Sequence, residues 1–501
     1  MGLVQHLTSQ AAKLQYVPFH YGIALLLALT YCLYRMIQPK KKHNLPVFKL
    51  RDNNVLAVLT EAYKQYPTSP FMLKLPGMEM AVLPPADVDT IRGLPESVVS
   101  IKKHHYDVFL GEYTYMGTKS DEFDSAMRNV LTRNTPAVLE SFTDEVEYAI
   151  SNTIGPCQDW VPVVARKAMC KVASLMSGRA FVGLPLSREA DWVEANVNYT
   201  TDVSKAWMIL KMIPQPIRFF VAPLLPQVRS LKRQRKNNEA KLAPLLEEKQ
   251  DSSSATSANK EKPVGGDLLD WFISQYKTTP TVQELGRDQL LATFASIYNL
   301  SNALTYIVFD LAATPEEDVE EMRKELIEVL GEDGVIDKNS LAKLKKLDSF
   351  AKESQRLCPP SLVNIPRIVT SPEGLKTSTG DTLPTGTRMT IMSHFINHDP
   401  KVYPDPEKFD PFRFSRLRQV PGNETKYQHA STGLDNINFG HGIWACPGRF
   451  FASAQIKVVL AHLLRNYHVK LKKGTDKPGQ IHYGLAILPD AQAEIMFKSR
   501  K

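Results

Sequence analysis

A lone cysteine stands in the run Asn438-Phe439-Gly440-His441-Gly442-Ile443-Trp444-Ala445-Cys446-Pro447-Gly448-Arg449. Beyond it Phe450, Ala454, Val458, Ala461 and Leu464 recur at helical spacing, which predicts a helix over 450–464. Cys446 therefore sits on a loop that opens into a helix N-terminus, where N–H groups and the helix dipole favour negative charge. A thiol placed there ionises readily. Gly440, Gly442 and Gly448 permit tight turns and let backbone N–H groups approach the sulfur or a ligand. A thiolate held in this way can ligate a metal or act as a nucleophile. Cys-x-Gly alone is more often a buried cysteine in a turn. The full string F-G-x-G-x-x-x-C-P-G is far rarer by chance.

A second group of chemistry-bearing residues lies upstream. Glu353 and Arg356, three positions apart near the end of a helix expected over Ser340 to Leu357, share one face and can pair. Such pairs are usually solvated. Here a further arginine, Arg413 in Phe409-Asp410-Pro411-Phe412-Arg413-Phe414, stands between that helix and the cysteine loop.

The elements that must position these residues are mostly helical. The longest helix is expected from Val282 to Ala313, opened by a Thr281/Glu284 capping box. Leu290 to Ala312 is almost free of charge, so this helix should run buried through the centre of the domain. Thr314-Pro315-Glu316-Glu317 starts another helix. Further helices are expected at Val55–Tyr66, Ser120–Leu139 and Asp191–Leu210, and strands at Phe71–Leu75, Met80–Leu83, Ile365–Thr370 and Arg388–His394. Residues 251–266 are poor in apolar side chains and read as a mobile surface loop.

At the N-terminus, Val17 to Ile37 is mostly apolar and about as long as a bilayer-crossing helix requires. Lys40-Lys41-Lys42 follows at once, and this excess of positive charge on the C-terminal flank places residues 40–501 in the cytosol. The chain therefore divides into a signal anchor, 1–43, and a catalytic domain, 44–501. The five cysteines, Cys32, Cys157, Cys170, Cys358 and Cys446, are scattered and include no CxxC pair, which fits a reducing compartment. The net charge of +8 has no aromatic-interleaved basic stripe, which argues against nucleic acid and for a membrane or an acidic partner.

With E-x-x-R, P-x-R-F and F-x-x-G-x-x-x-C-x-G in this order, the sequence resembles the cytochrome P-450 family of haem-thiolate monooxygenases over nearly its whole length. The string FGHGxxACPGRFFA looks most like the filamentous-fungal branch that works on terpenoids and other secondary metabolites. The resemblance implies a mainly α fold with a small β region and a haem b cofactor. It also implies a hydrophobic small-molecule substrate and electrons from NADPH through a cytosol-facing reductase carrying FAD and FMN. The implied site is the endoplasmic reticulum membrane, spanned once, with the catalytic domain in the cytosol. Cys446 would be the axial thiolate on the iron. Phe439 and Gly440 would pack around it, and Arg367 would contact a haem propionate. Glu353, Arg356 and Arg413 would form a buried charge triad. The Val282–Ala313 helix would cross the distal face. Ile365, Gly484–Ile487 and the loop Ser100–Thr118 would line the substrate pocket.

Two positions depart from the family pattern. Trp444 stands where Arg or His usually contacts a propionate, and offers one neutral N–H donor. On the distal helix, Tyr298 and Asn299 occupy the places of an acid (or His) and a Thr, with Ser301 close by in sequence. Asn299 can hold a water for proton delivery. Alternatively the enzyme runs less proton-demanding chemistry, as a desaturase, isomerase or dehydratase.

Overall fold

The computed structural model describes Thr30 and residues 44–50, 54–117, 120–255, 266–331, 334 and 336–500. The expected membrane segment, 17–37, falls almost wholly outside these residues. Among the described residues no helix is long and apolar enough to cross a membrane.

The chain opens with β1 (Val47–Lys49), α1 (Val55–Gln65), β2 (Phe71–Leu75), β3 (Met78–Leu83), β4 (Val99–Ser100) and α2 (Ile101–Phe109). A helical block follows: α3 (Leu131–Ser151), β5 (Val161–Val164), α4 (Ala165–Val182), α5 (Ala190–Met212), α6 (Pro226–Ala255), α7 (Val282–Ala313), α8 (Glu316–Leu330) and α9 (Lys345–Leu357). The last part carries β6 (Asn364–Val369), β7 (Leu375–Lys376), β8 (Thr382–Leu383), β9 (Arg388–Ile391), α10 (Arg449–Asn466), β10 (Tyr467–Leu471), β11 (Gln480–Tyr483), β12 (Ala486–Pro489) and β13 (Glu494–Ser499). Shorter helices fill the connections.

Sequence-distant strands meet in the main sheet, ordered β1-β2-β3-β9-β6-β4. β2 and β3 form a hairpin with Phe71 opposite Val82, closed by Pro76-Gly77, where Gly77 takes a left-handed φ of 68°. β9 then adds parallel to β3, so the middle of the sheet joins segments some 300 residues apart.

α7 is the axis of the helical block. Its capping box forms, with Thr281 Oγ1 accepting from Glu284 N (3.2 Å) and Glu284 Oε2 accepting from Thr281 N (2.8 Å). Its 32 residues span about 48 Å. α4, α5 and α6 pack along it, and Leu300, Leu304, Ile307, Val308 and Leu311 are buried there. α10 lies against α3, with Phe451 edge-on to Phe142 and stacked on Phe181.

Three expectations are corrected. The helix expected at 340–357 is two: Lys338–Lys343 and α9, broken at buried Leu344. Glu325 of α8 supplies the reason, because its carboxylate accepts from the N–H groups of Lys346 (2.8 Å) and Leu347 (3.1 Å) and caps a new helix start. The helix expected at 120–139 consists of Asp121–Ser125, a π segment at Ala126–Val130, and α3. The stretch expected to loop at 251–266 begins instead as the end of α6, which reaches Ala255; residues 256–265 lie outside the described ones.

Candidate functional site

The cysteine loop is held by its own backbone. Gly440 and Gly442 both take φ of 70°, and Cys446 N donates to Phe439 O at 2.7 Å. A Cβ on Gly442 would meet Arg92 O at 2.3 Å, so only glycine fits there. The helix begins one residue earlier than the hydrophobic spacing suggests, at Arg449: Gly448 is the N-cap, and Arg449 Nη1 donates to Cys446 O at 2.9 Å. Cys157 and Cys358 are buried, and burial pushes the Cys358 thiol up to about 12. Cys446 is the one exposed cysteine among the described residues.

Phe439 meets His429 edge-on, ring centroids 5.5 Å apart. His429 is anchored in turn: its N–H donates to Asp348 Oδ2 (2.8 Å), and Asp348 pairs with Lys457 (2.9 Å). Burial drives the His429 imidazole down to about 3, so it is neutral at physiological pH. Lys352 of α9 donates to the carbonyls of Gln428 (2.9 Å) and Ser431 (3.1 Å) and fixes the same segment.

Glu353, Arg356 and Arg413 come together. Glu353 Oε1 accepts from Arg356 Nη2 (2.7 Å), Arg413 Nε (3.0 Å) and Asp410 N (3.1 Å). Arg356 also donates to the carbonyls of Asn397 (2.8 Å) and Pro406 (2.7 Å). The triad is buried and ties α9 to the proline-rich segment that leads into the cysteine loop.

Trp444 does not offer its N–H outward; Nε1 donates to Leu94 O at 2.7 Å. Its ring instead meets two arginines, with the guanidinium carbons of Arg128 and Arg367 at 4.4 Å and 6.0 Å from the ring centroid. Arg128 also donates to Ile443 O. Arg367 is 3% exposed, and its Nε has no partner. His104 is buried nearby, its Nδ1 likewise unpaired. Burial first, then the charges of Arg388, Arg367 and Lys211, hold the His104 imidazole down at about 3. Arg367, a buried cation with an unmet donor, requires an anion of matching placement. The two carboxylates of haem meet that requirement, and an exposed thiolate on a glycine-shaped loop meets the need of the iron. The residues present therefore fit haem, with Cys446 as ligand and Arg367, Arg128 and His104 as anion receivers. Arg128 and His104 were not found from sequence, since nothing local in either segment marks them.

On α7, Ala295 and Asn299 are exposed one turn apart, beside half-buried Phe294, Ser296 and Tyr298 and buried Ile297 and Leu300. Asn299 Nδ2 donates to Ala295 O (3.0 Å), which leaves Oδ1 to accept from water. Ser301 does not share this face. It is fully buried, lies about 200° further round the helix, and its hydroxyl bonds back to Ile297 O. Tyr298 is half-buried and stacks on Phe294 (5.8 Å), which meets Phe109 of α2 (5.5 Å). The expected pocket loop at 100–118 is thus largely helical, Ile101–Phe109 and Gly111–Thr114. Ile365 and Ile487 are buried in the cores, at 2% and 1% exposure, so they do not form an open pocket wall.

Comparison with known proteins agrees with this geometry. The cytochrome P450 family matches over residues 134–497. The chain is 57% identical to the cytochrome P450 monooxygenase ataF of Aspergillus terreus, over 95% of this chain and 96% of that one. It is 53% identical to the cytochrome P450 monooxygenase gliF of Aspergillus fumigatus, over 97% of each. A retinoic acid-bound cyanobacterial CYP120A1 shares the fold, with a TM-score of 0.66 at 18% identity, covering 91% of this chain and 99% of that one. With the family match spanning residues 134–497 and relatives at 57% and 53% identity over nearly the full length of both chains, the chain belongs to the cytochrome P450 family and is a cytochrome P450 monooxygenase.

Proposed function

We propose that this monooxygenase inserts one atom of O2 into a hydrophobic small molecule of fungal secondary metabolism, a terpenoid by the likeness of its cysteine loop. Haem bound through Cys446 supplies the oxygen activation, the thiolate favouring O–O cleavage. The observation that carries the reading is the exposed Cys446 on its glycine-shaped loop together with the unpaired buried Arg367 Nε and His104 Nδ1. An aromatic series, Trp207–Phe109–Phe294–Tyr298, with centroids 6.3, 5.5 and 5.8 Å apart, gives the region near Asn299 an apolar wall and supports a hydrophobic substrate.

Electrons come from NADPH through a cytosol-facing reductase. α3 meets the cysteine loop where Thr132 Oγ1 donates to Pro447 O (3.4 Å), and the neighbouring Arg133 is exposed, which supports docking of an acidic partner there. Attachment to the endoplasmic reticulum membrane is supported by Met212, Ile217, Phe219, Phe220 and Leu224, large apolar side chains exposed in one short stretch. A cytosolic domain leaves the sequons at Asn198 and Asn423 unmodified; glycan on either would overturn this orientation.

The second reading is an isomerase or dehydratase, or a desaturase; Asn299 favours the first two, which need no proton on activated oxygen, because an amide does not titrate. One experiment separates the two. The protein with reductase is incubated with metabolite extract under isotopically labelled O2. Monooxygenation incorporates one labelled atom and consumes one NADPH per product. Product without label, or without NADPH, sinks the first reading.

A further inference from the structure

Tyr298, Asn302, Tyr306 and Asp310 recur at every fourth position of α7. Neighbours at this spacing lie about 5–6 Å apart on one face, and the row runs about 18 Å along the helix. The opposite side of the helix carries Leu300, Leu304, Ile307, Val308 and Leu311, all buried and apolar. Asn302, Tyr306 and Asp310 are 4%, 2% and 2% exposed. Asn302 Oδ1, Tyr306 Oη and Asp310 Oδ2 have no hydrogen-bond partner in the protein. Each such atom costs about 1–3 kcal/mol if left dry. Aligned as they are, one file of bound water satisfies all three.

The row has two ends. At the inner end Tyr298 engages the Asn302 side chain, one residue before exposed Asn299. At the outer end Asp310 pairs with Lys477, and both line a cleft of about 890 Å3 together with Phe409, Asp318 and Arg413. Burial raises the carboxyl of Asp310 against the pull of Lys477, which favours its protonated form. The Arg166 charge lies close enough to Tyr298 and Tyr306 to offset part of the rise that burial gives both phenols.

We propose that this row is a proton conduit, running from the Asp310–Lys477 cleft through bound water, Tyr306 and Asn302 to Tyr298 and the open turn at Asn299. The proposal rests on the monooxygenase reading. At the site, O2, two electrons, two protons and substrate RH become ROH and H2O; NADPH leaves as NADP+ and a proton. Two protons per turnover must therefore reach a buried face, and neither the Asn299 amide nor Ser301 supplies them. Asp310 takes a proton from cleft water and passes it to water bound at Tyr306. The Tyr306 hydroxyl accepts that proton and releases its own toward Asn302. Asn302 Oδ1 does not titrate; it orients the next water. Tyr298 hands the proton on, and Asp310 reloads from the cleft.

The test uses the full chain loaded with haem, with reductase and NADPH and no added substrate. In the substrate-free reaction O2 leaves as hydrogen peroxide or, with two more electrons and protons, as water. Tyr306→Phe deletes only an oxygen with no protein partner, and Asp310→Asn keeps the shape of the acid. Both variants should raise peroxide per NADPH several-fold and enlarge the solvent deuterium effect on NADPH use. A crystal structure of the wild type should show water bridging Asn302 Oδ1, Tyr306 Oη and Asp310 Oδ2, with one position lost in Tyr306→Phe. A dry row overturns the proposal, as do variants with wild-type peroxide yield and isotope effect. A wild type without the thiolate–CO band overturns the haem reading itself, and the conduit with it.

Discussion

Replacing Glu353 by Gln tests how the cysteine side of the domain is held. The substitution keeps shape and removes one negative charge. Glu353 Oε1 accepts from three donors, at 2.7, 3.0 and 3.1 Å, and Oε2 accepts from Arg356 Nε at 2.8 Å. Gln would leave two guanidinium groups buried, with side-chain exposures of 0% and 8%, and without a counter-charge. Removing one member of a buried ion pair costs about 3–5 kcal/mol. Arg356 keeps the carbonyls of Asn397 and Pro406, and Arg413 keeps those of Pro404 and Lys408, which places the cost at the lower end of that range. At about 2.1 cal/mol/K per residue, the unfolding entropy of a 501-residue chain is about 1 kcal/mol/K, so Tm should fall by about 3 °C. Thermal melts of haem-loaded protein, followed by circular dichroism and by the haem band, read this directly. A Tm within about 1 °C of wild type, with full haem loading, would refute the claim that these three charges hold the segment together.

Other outcomes follow from the same geometry. Cys446→Ser should abolish the thiolate-type CO band, and a retained band would mean that another group ligates the iron. Arg367→Gln removes a buried charged donor, worth about 1.5–3 kcal/mol, and should speed haem loss to a scavenging apoprotein roughly ten- to a hundredfold; unchanged retention would exclude Arg367 as an anion receiver. Trp444→Phe keeps a ring against Arg128 and Arg367 and loses the bond to Leu94, so it should cost about 1 kcal/mol, while Trp444→Ala should also weaken haem retention; equal behaviour of the two would deny the ring its role. Burial, then the neighbouring Asp270, raises the Asp267 carboxyl from 3.8 to about 6. Its protonated form therefore favours folding, a contribution complete below about pH 4 and lost as pH rises through about 6. Urea midpoints between those values should show a flatter pH dependence in Asp267→Asn, and an identical slope would contradict the shift.

What was legible in the sequence is what periodicity and close spacing encode. α7 has the ends its capping box and charge-free middle announce, and Cys446 and the Glu-x-x-Arg pair announce themselves by rare local strings. Contacts made across the fold left no such mark. Arg128 reaches Trp444 from more than 300 residues away in sequence, and His104 reaches Arg367 through the sheet. The break at Leu344 depends on a carboxylate from the preceding helix, which no local pattern shows. Ser301 looked useful by its closeness in sequence to Asn299; two residues along a helix is close in number and nearly opposite in direction.

The π segment at Ala126–Val130 has a consequence for how this protein tolerates change in length. One extra residue in a turn advances the phase of everything after it by about 100°. Arg128 lies inside that widened turn, while Thr132, just beyond it, meets Pro447. Deletion of a single residue there would let the helix relax to regular winding and would put the two out of step: either Arg128 keeps Trp444 and Thr132 turns from the cysteine loop, or the reverse. The five residues thus act as a spacer of fixed count, and the helix should accept substitutions across this turn far more readily than any gain or loss of one position.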